Sequence, residues 1–337
     1  MTTTLAPSIT CDREYIVQKV RRHGSASSSA VLDPNCLHFS TPQIDGLVGY
    51  RTDSSCAIVY GNPICKLEDR EALVSAFDQF CQQQGLKVIY MGVDEEFARF
   101  ALGRHCKILI EFGEELVIDP HDDPQKRQGV NASLVRRKVR HALKEEIKFF
   151  EYLSQDSILE GALEGVAKAW LGGREGLQVH ISHVNLFADR LGKRWFYAKK
   201  QDKIVGVVML NQIEAKQGWL LNHLMFTQEA PHGTPEFLLT SVLELLAKEG
   251  CHYVTFGNVP GKDLGEMEGI NPAQKWLYKT LFKIVQKFLK LEGRKKFWEK
   301  FHPQVKRSYL LFSQPRIGIK ELMAIKHATN VSLPRSK

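Results

Sequence analysis

Two segments of the chain, 58–92 and 219–257, repeat one pattern at a constant separation along the sequence. The corresponding residues, always 165 positions apart, are Glu71 with Glu236, Leu73 with Leu238, Gly85 with Gly250, and Gly92 with Gly257. Each segment predicts a strand, a loop, a long amphipathic helix, a glycine that ends the helix, and a second strand. A repeat of this length is half a domain rather than a solenoid unit. It places a helix N-terminus beside a strand end, where unpaired backbone N–H groups bind anions and carbonyl oxygens.

The charge of the chain favours an anionic partner. The formal net charge is +8 and the isoelectric point is about 9.0. Residues 275–307 include eleven lysines and arginines but only two acidic residues, so the local excess of nine exceeds that of the whole chain. This distribution indicates nucleic acid or an anionic membrane surface as the partner. The alternative is a mildly basic protein of the cytosol that has no polyanionic partner.

Hydropathy and cysteine usage indicate a cytoplasmic protein. No stretch approaches the ~18–20 apolar residues that span a bilayer, and the first residues lack the pattern of a secretory signal. The seven cysteines form no C-x-x-C pair, so reduced thiols are expected rather than a disulfide frame or a zinc site. His180 and His183 have no acidic or thiol partner at a metal-ligand spacing, and we therefore expect no bound metal.

The composition divides the chain into four regions. Residues 1–37 are polar and are expected to form a short helix at 12–22 followed by a flexible, serine-rich segment. The two halves of the repeat then predict a first unit at 38–150 and a second unit at 151–312. The remaining residues, 313–337, are expected to form a C-terminal tail. The oligomeric state does not follow from the sequence.

Alternating and helical hydrophobic patterns predict mixed α/β units. Hairpins are expected for 47–52 with 56–61, for 106–112 with 115–119 around Gly113, and for 194–200 with 204–213. Long helices are expected over 133–150 and 275–290, and residues 150–192 read as helical with a break at Gly172 and Gly173. Mixed sheets with helices on both faces fit this order. The GCN5-related N-acetyltransferases have the same order of elements, so the fold class that we predict is α/β (mixed α+β), with two acetyltransferase-like halves related by a pseudo-twofold axis.

Seven segments between about residues 40 and 312 contain motifs of a known enzyme family. They are IVYGNP (58–63), FGEELVID (112–119), KRQGVNASLVRRKVRHALKE (126–145), HLMFTQEAPHGTPEFLL (223–239), FGNVP (256–260), LYKTLF (277–282) and FWEKFHPQVKRSYLLF (297–312). In order and spacing they resemble the C-terminal catalytic domain of phosphatidylglycerol lysyltransferases, the multiple peptide resistance factors. The same domain occurs in alanyl-phosphatidylglycerol synthases and in soluble stand-alone relatives.

The resemblance implies an aminoacyltransferase with a tandem acetyltransferase-like fold. Members of the family move an aminoacyl group from a charged tRNA to a lipid hydroxyl, usually that of phosphatidylglycerol. The expected partners are therefore charged tRNA and an anionic phospholipid or membrane surface, with the protein peripheral on the inner face of the membrane. No cofactor is expected, because the aminoacyl-tRNA is the donor substrate. Two alternatives stay open: an inactive relative that binds tRNA or anionic membrane, and an N-acyltransferase that uses a thioester donor.

The chain departs from the family motifs at five positions. His223 and Phe226 occupy the places of the aspartate and the arginine in the Asp-Leu-Met-Arg motif. Asn62 replaces the aspartate of Gly-Asp-Pro, and in the closing motif Trp298 and Val305 replace a lysine and a tryptophan. The loss of the aspartate and the arginine at positions 223 and 226 favours the alternative of an inactive relative. The usual acetyl-coenzyme A loop is also missing from both repeats, which argues against an ordinary acetyltransferase.

Transfer of an aminoacyl ester requires a base, a site for the oxyanion and cations that neutralise the phosphates. His223, expected at the end of a central strand, is the predicted base. The first helical turn at Gly233–Glu236 is expected to supply N–H donors to the oxyanion, and Glu236 is included among the catalytic residues. Lys300 keeps its family position and is expected to hold a phosphate or the tRNA 3′ end. The structural alternatives are a core histidine and a solvated lysine.

Further residues are predicted to bind substrate. Arg136, Arg140 and Lys144 form a row on one helical face, and we expect it to contact phosphates together with Arg137 and Lys138. The full set of predicted substrate-binding residues is Arg136, Arg137, Arg140, Gly233, Glu115, Asp119, Asn62 and Lys296. For the carboxylates the alternative is a salt bridge at an edge strand, and for the lysines and arginines it is a solvated surface. Clustered basic residues fit tRNA and anionic lipid equally well.

Overall fold

The computed structural model describes residues 12–173, 184–289 and 292–329. The helices are α1 Arg13–His23, α2 Arg70–Gln83, α3 Glu95–Ala101, α4 Val130–Lys144, α5 Ser157–Gly172, α6 Thr234–Lys248, α7 Pro272–Leu289, α8 Glu292–Glu299 and α9 Ile319–Ala328. The strands are β1 Leu37–Thr41, β2 Ile44–Asp53, β3 Cys56–Tyr60, β4 Ile64–Cys65, β5 Lys87–Val93, β6 Ile108–Ile118, β7 Ile147–Tyr152, β8 Lys193–Lys200, β9 Lys203–Ile213, β10 Gly218–Phe226, β11 Val254–Pro260, β12 Met267–Glu268 and β13 Gln304–Phe312. Short 3₁₀ helices lie at Ser28–Leu32 and Glu214–Lys216.

The strands form one continuous mixed sheet. Its order is β1-β2-β3-β5-β13-β6-β11-β10-β9-β8-β7, with β4 beside β2 and β12 beside β6. The pairs β3–β5 and β10–β11 are parallel, and the other neighbouring pairs are antiparallel. The predicted mixed α/β fold is therefore confirmed.

Helices cover both faces of the sheet because neighbouring residues of a strand point to opposite sides. In β9, Val208 and Leu210 pack into the core under α4 and α6, whereas Val207 and Met209 pack into the core under α5. At the other end of the sheet, α2 and α3 cover one face, and α1 and α9 cover the opposite face. The sheet is thus buried between two layers of helices, as a mixed sheet requires.

Both repeated segments form a strand–helix–strand unit with parallel strands, β3-α2-β5 and β10-α6-β11. Gly85 and Gly250 follow the two helices with φ of +65° and +78°, and Gly92 and Gly257 lie in the second strands with φ of +77° and +80°. Residues other than glycine rarely adopt these angles, so the predicted pairs of glycines have the same backbone role. The pseudo-twofold axis stays a prediction.

The strand order does not follow the order of the chain. β13, the last strand, lies between β5 and β6, which come from the first unit. β7 begins inside the predicted first unit, and its neighbour in the sheet is β8 of the second. The predicted boundary between residues 150 and 151 therefore falls within a strand. The division into units by residue range stays a prediction.

The predicted hairpin around Gly113 is wrong, because β6 is one continuous strand of eleven residues. It pairs with β11 on one side and β13 on the other. A Cβ at position 113 would lie 2.7 Å from the carbonyl oxygen of Val259. This glycine therefore allows a close approach of two strands instead of a turn. The other two hairpins, β2–β3 and β8–β9, are confirmed.

Three other local predictions need correction. Residues 150–192 were expected to be helical with a break at Gly172 and Gly173, but α5 covers only Ser157–Gly172, and the described residues 184–192 contain no helix. The helix expected over 133–150 ends at Lys144, and the residues that follow form β7 because they pair with β8. The serine-rich segment, expected to be flexible, contains the 3₁₀ helix Ser28–Leu32, in which Ala30 and Val31 are fully buried. The preceding helix, expected at 12–22, is confirmed as α1.

No helix within the described ranges is long and apolar enough to cross a membrane. Cysteines at positions 36, 56, 65, 81, 106 and 251 are free thiols. Cys11 lies outside the described residues.

Candidate functional site

The two parallel strands of the second unit separate at their carboxyl ends. β10 and β11 pair at only two positions, Trp219 with Val254 and Leu220 with Thr255, although both strands continue for several residues. In contrast, β3 and β5 pair at five consecutive positions. The separation forms an opening between β10 and β11, which we call the wedge. Open α/β sheets bind ligands beyond the carboxyl ends of their strands.

Backbone irregularities on both sides accompany the wedge. The register of β10 against β9 shifts between Leu221 and His223. The register of β11 against β6 shifts between Thr255 and Asn258, and Gly257 in this interval has a φ of +80°. Bulges of this kind bend a strand and redirect its side chains, and they are common beside active sites. The wedge is therefore the candidate functional site.

The structure places His223 at the wedge. It follows the irregularity in β10, opposite Met209 of β9, on the part of the strand that has left β11. Its side chain is half-buried. An imidazole in such a position can exchange a proton with a substrate near neutral pH. Its role as the base stays a prediction.

Glu236 and Lys300, which come from separate motifs, form one buried ion pair. Lys300 Nζ lies 2.5 Å from Glu236 Oε1, and the two side chains are only 15% and 6% exposed. Lys300 Nζ also lies 4.2 Å from the ring centroid of Phe297, which gives a favourable cation–π contact. Glu236 is in the first turn of α6, where the helix dipole favours a carboxylate. The pair joins the segment before β13 to α6, and the predicted phosphate contact of Lys300 stays a prediction.

The N-terminus of α6 lies against the backbone of α4. Gly233 has a φ of +93°, and a Cβ at this position would lie 2.0 Å from the carbonyl oxygen of Lys138. In the first turn, Pro235 has no N–H and the N–H of Thr234 already donates to the preceding loop. The N–H groups of Gly233 and Glu236 are left as the donors that this segment offers to an oxyanion. The predicted oxyanion site at Gly233–Glu236 stays a prediction.

Glu115 lies near the centre of the sheet and contacts a tyrosine. It is opposite Asn258 of β11 and Lys306 of β13. The hydroxyl of Tyr253 donates a hydrogen bond to its carboxylate, and Lys306 Nζ lies 5.0 Å from the ring centroid of Tyr253. Burial and then the charge of Glu115 raise the pKa of Tyr253, so the phenol stays protonated. The predicted substrate contact of Glu115 stays a prediction.

Asp119 follows β6 and accepts hydrogen bonds from two histidines. Nδ1 of His121 and Nδ1 of His252 each lie 3.1 Å from one of its carboxylate oxygens. Burial acts to raise the pKa of Asp119, but these hydrogen bonds and the N–H of His121 lower it below its ordinary value. Within the described ranges, these three residues are the one group arranged so that it could hold a metal ion. The hydrogen bonds that both histidines make to Asp119 explain why the three side chains lie close together. His180 and His183 lie outside the described residues.

The arginines of α4 divide into two kinds. Arg136 is half-buried, and its Nη1 donates to the carbonyl oxygens of Gln125 and Arg127 at 2.7 and 2.8 Å, so it holds the loop before the helix. Arg137 and Arg140 are exposed on the surface. The row that we predicted as one phosphate-binding stripe thus contains a residue with a structural role and exposed residues that a polyanion can reach.

Comparison with known proteins gives the family. The sequence profile described as "Phosphatidylglycerol lysyltransferase, C-terminal" matches residues 16–312, which is most of the chain. The chain belongs to this family. A phosphatidylglycerol lysyltransferase from Staphylococcus epidermidis is 28% identical over 153 residues, which cover 44% of this chain and 17% of that protein. The chain therefore matches less than a fifth of the length of this curated relative.

Two solved structures have the same fold as this chain. The L-PGS structure from Bacillus licheniformis superimposes with a TM-score of 0.77 at 16% identity, covering 95% of this chain and 96% of that one. A C-terminal domain assigned to a lysylphosphatidylglycerol synthetase from Agrobacterium fabrum gives 0.76 at 19% identity, covering 96% and 97%. At these identities the similarity establishes the fold.

The structure explains one departure from the family motifs. Trp298 stacks on Phe256 of β11, with ring centroids 4.4 Å apart, and is 5% exposed. Its Nε1 is buried and has no hydrogen-bond partner among the residues that the structure describes. The residue thus packs the core beside the wedge, where a lysine would bury an additional charge near Lys300. Phe226, which replaces the arginine, ends β10 and is 37% exposed.

Asn62 and a serine that the motifs do not single out contact residues in or next to strands β5 and β11. Asn62 Nδ2 donates to the carboxylate of Asp94 at 2.8 Å, and Asp94 caps the N-terminus of α3. Ser27 Oγ donates to the carbonyl oxygen of Gly92 and lies 2.5 Å from Nδ2 of Asn258. Ser27 lies in the segment expected to be flexible, so no local signal reveals these contacts. Lys296 is exposed on α8, and its predicted contact with substrate stays a prediction.

Proposed function

We propose that this chain transfers an aminoacyl group from a charged tRNA to the hydroxyl of phosphatidylglycerol or a similar anionic lipid. The match of residues 16–312 to the family is the observation that carries this proposal. The name of the S. epidermidis relative supplies the lipid acceptor. Charged tRNA as the donor rests on the sequence resemblance and on the basic surface. The protein would act in the cytoplasm, as a peripheral protein on the inner face of the membrane.

The reaction is an ester exchange. The lipid hydroxyl oxygen forms a new bond to the carbonyl carbon of the aminoacyl ester, and the bond from that carbon to the tRNA 3′-terminal ribose oxygen breaks. His223 would accept the hydroxyl proton and return it to the departing ribose oxygen. The N–H of Glu236 would donate to the oxyanion that forms on the carbonyl oxygen. No metal or cofactor is required to balance these steps.

Exposed cations would neutralise the phosphates of the two substrates. Arg137 and Arg140 of α4 and Lys296 of α8 are exposed. The sequence from residue 275 to residue 307 has an excess of nine positive charges. Contacts of this kind give binding that weakens as the salt concentration rises. They support a polyanionic donor but do not by themselves distinguish tRNA from lipid.

A second reading is that the chain is an inactive relative that binds tRNA or anionic membrane. Two observations favour it: the replacement of the motif's acid and arginine by His223 and Phe226, and the pairing of Lys300 with Glu236. A thioester-dependent N-acyltransferase is disfavoured because the usual acetyl-coenzyme A loop is missing from both repeats. Formation of an acylated product separates the first two readings.

Expression in cells, lipid extraction and mass spectrometry test the proposal. The wild-type chain is expected to produce a phospholipid that carries an amino acid. His223→Gln is expected to lower its amount about 10²–10⁴-fold, because a positioned general base contributes about that factor. His38→Gln is the control. His38 is also half-buried, but its Nε2 lies 2.8 Å from the carbonyl oxygen of Val31, and His38 is far from His223 in the sequence. A His223→Gln protein that folds and retains full product formation would exclude this base.

A further inference from the structure

Helix α7 exposes an apolar stripe on its outer side. Leu277, Leu281 and Ile284 follow the spacing i, i+4, i+7 of one helical face, and they are 45%, 37% and 50% exposed. Trp276 beside them is 71% exposed. An adjacent side of the helix packs on the core through Tyr278 and Phe282. Helix α7 is therefore packed on the core of the fold, and its apolar stripe is nevertheless exposed.

Helix α9 extends this apolar surface. Its residues Ile319 and Leu322 are 81% and 43% exposed, whereas Ala324 and Ala328 are buried in the same core cluster that receives α7. The hydroxyl of Tyr278 donates to the carbonyl oxygen of Ile317 at 3.1 Å, so the start of α9 lies beside α7. The two helices cover one face of the sheet and expose their apolar residues on its outer side. We call this surface the α7–α9 face.

Positive charge surrounds the α7–α9 face. The sequence of α7 has no acidic residue, and Lys279 and Lys283 are exposed along it, although Lys283 Nζ lies 3.2 Å from a carboxylate oxygen of Asp263. On α9, Lys320 and Lys326 are exposed, while the acid Glu321 is buried and pairs with Lys87. Apolar side chains bordered by lysines are the pattern of a surface that lies in the headgroup region of an anionic bilayer. An exposed tryptophan is also typical of membrane interfaces.

We propose that the α7–α9 face docks the protein on an anionic lipid bilayer. This rests on the proposed function, because it brings a lipid-modifying enzyme to its acceptor. The apolar residues enter the interface and the lysines contact lipid phosphates, so the protein lies on the membrane. The excess of lysine favours an anionic bilayer over a second copy of this chain, whose identical face would repel it.

Vesicle sedimentation with the purified full chain tests the docking face. The chain is expected to bind vesicles of phosphatidylcholine and phosphatidylglycerol in equal amounts, to bind phosphatidylcholine vesicles weakly, and to dissociate as salt is raised. Replacing Leu277, Leu281 and Ile284 together by serine is expected to lower the partition coefficient at least about tenfold. Ile319→Ser combined with Leu322→Ser tests α9 separately. Leu153→Ser with Ile158→Ser is the control, because these residues are 84% and 85% exposed elsewhere.

The proposal is overturned if the wild-type chain does not prefer the anionic vesicles, or if either serine variant binds them like the wild type. A second outcome also overturns it: the wild-type chain does not bind vesicles but associates with itself, and the serine variants abolish that self-association. The assay needs neither tRNA nor turnover, so an inactive chain that binds vesicles leaves the docking face standing. A chain that modifies phosphatidylglycerol in detergent micelles but does not bind vesicles supports the proposed function and refutes the docking face.

Discussion

Lys300→Met is expected to lower the free energy of unfolding by about 3–5 kcal/mol, because it leaves a buried carboxylate without its partner. The side chain of Glu236 is 6% exposed and lies 2.5 Å from the ammonium of Lys300. Removing the ammonium leaves the carboxylate of Glu236 in the core without a compensating charge. Chemical denaturation of both proteins measures the loss.

Two further variants make this test specific. Glu236→Gln combined with Lys300→Met is expected to recover much of the loss, because it removes the unpaired charge as well. Lys248→Met is the control, since Lys248 pairs with Glu244 where the side chains are 70% and 66% exposed, and such pairs contribute about 0–1 kcal/mol. Equal losses for Lys248→Met and Lys300→Met would contradict a buried pair. Activity of the folded double variant then reports whether Lys300 also handles substrate.

Gly233→Ala is expected to lower the free energy of unfolding by about 2–5 kcal/mol, from backbone strain together with a steric clash. The residue has a φ of +93°, and a Cβ would lie 2.0 Å from the carbonyl oxygen of Lys138. The substitution must therefore move α6 away from α4 or distort the first turn that carries Glu236. Thermal and chemical denaturation measure the effect, and transfer activity should fall with it.

Gly250→Ala provides the matched control. Gly250 has a similar φ of +78°, but a Cβ there would meet no atom within 4 Å. Its expected loss is about 1–2 kcal/mol from the left-handed conformation alone. The difference between the two variants isolates the contact with α4. If both lose the same stability, close packing at Gly233 is not what requires the glycine.

Local patterns were sufficient for the strand–helix–strand units. Gly85 and Gly250 end helices with positive φ, and this requirement is visible in the sequence because few other residues satisfy it. Gly113 was misread since a glycine that lets strands approach looks, in sequence, like a glycine in a turn. The buried serine-rich segment was misread because its burial depends on distant partners.

The sequence indicated candidate residues for the site, but it did not show which of these residues contact one another. Lys300 and Glu236 were each expected to act on substrate, but they are 64 positions apart, so no local pattern shows that they pair. The same holds for Glu115 with Tyr253, which are brought together by the pairing of β6 with β11. The place of β13 between β5 and β6 is likewise set by tertiary pairing, which hydrophobic periodicity does not encode.

The most direct test of the account is transfer by the purified protein. The chain is incubated with tRNA charged with a mixture of radiolabelled amino acids and with phosphatidylglycerol in detergent micelles, and the extracted lipid is counted. The account predicts labelled lipid, and prior treatment with ribonuclease should abolish it. Absence of labelled lipid with folded protein, or transfer that persists after ribonuclease, would contradict the account.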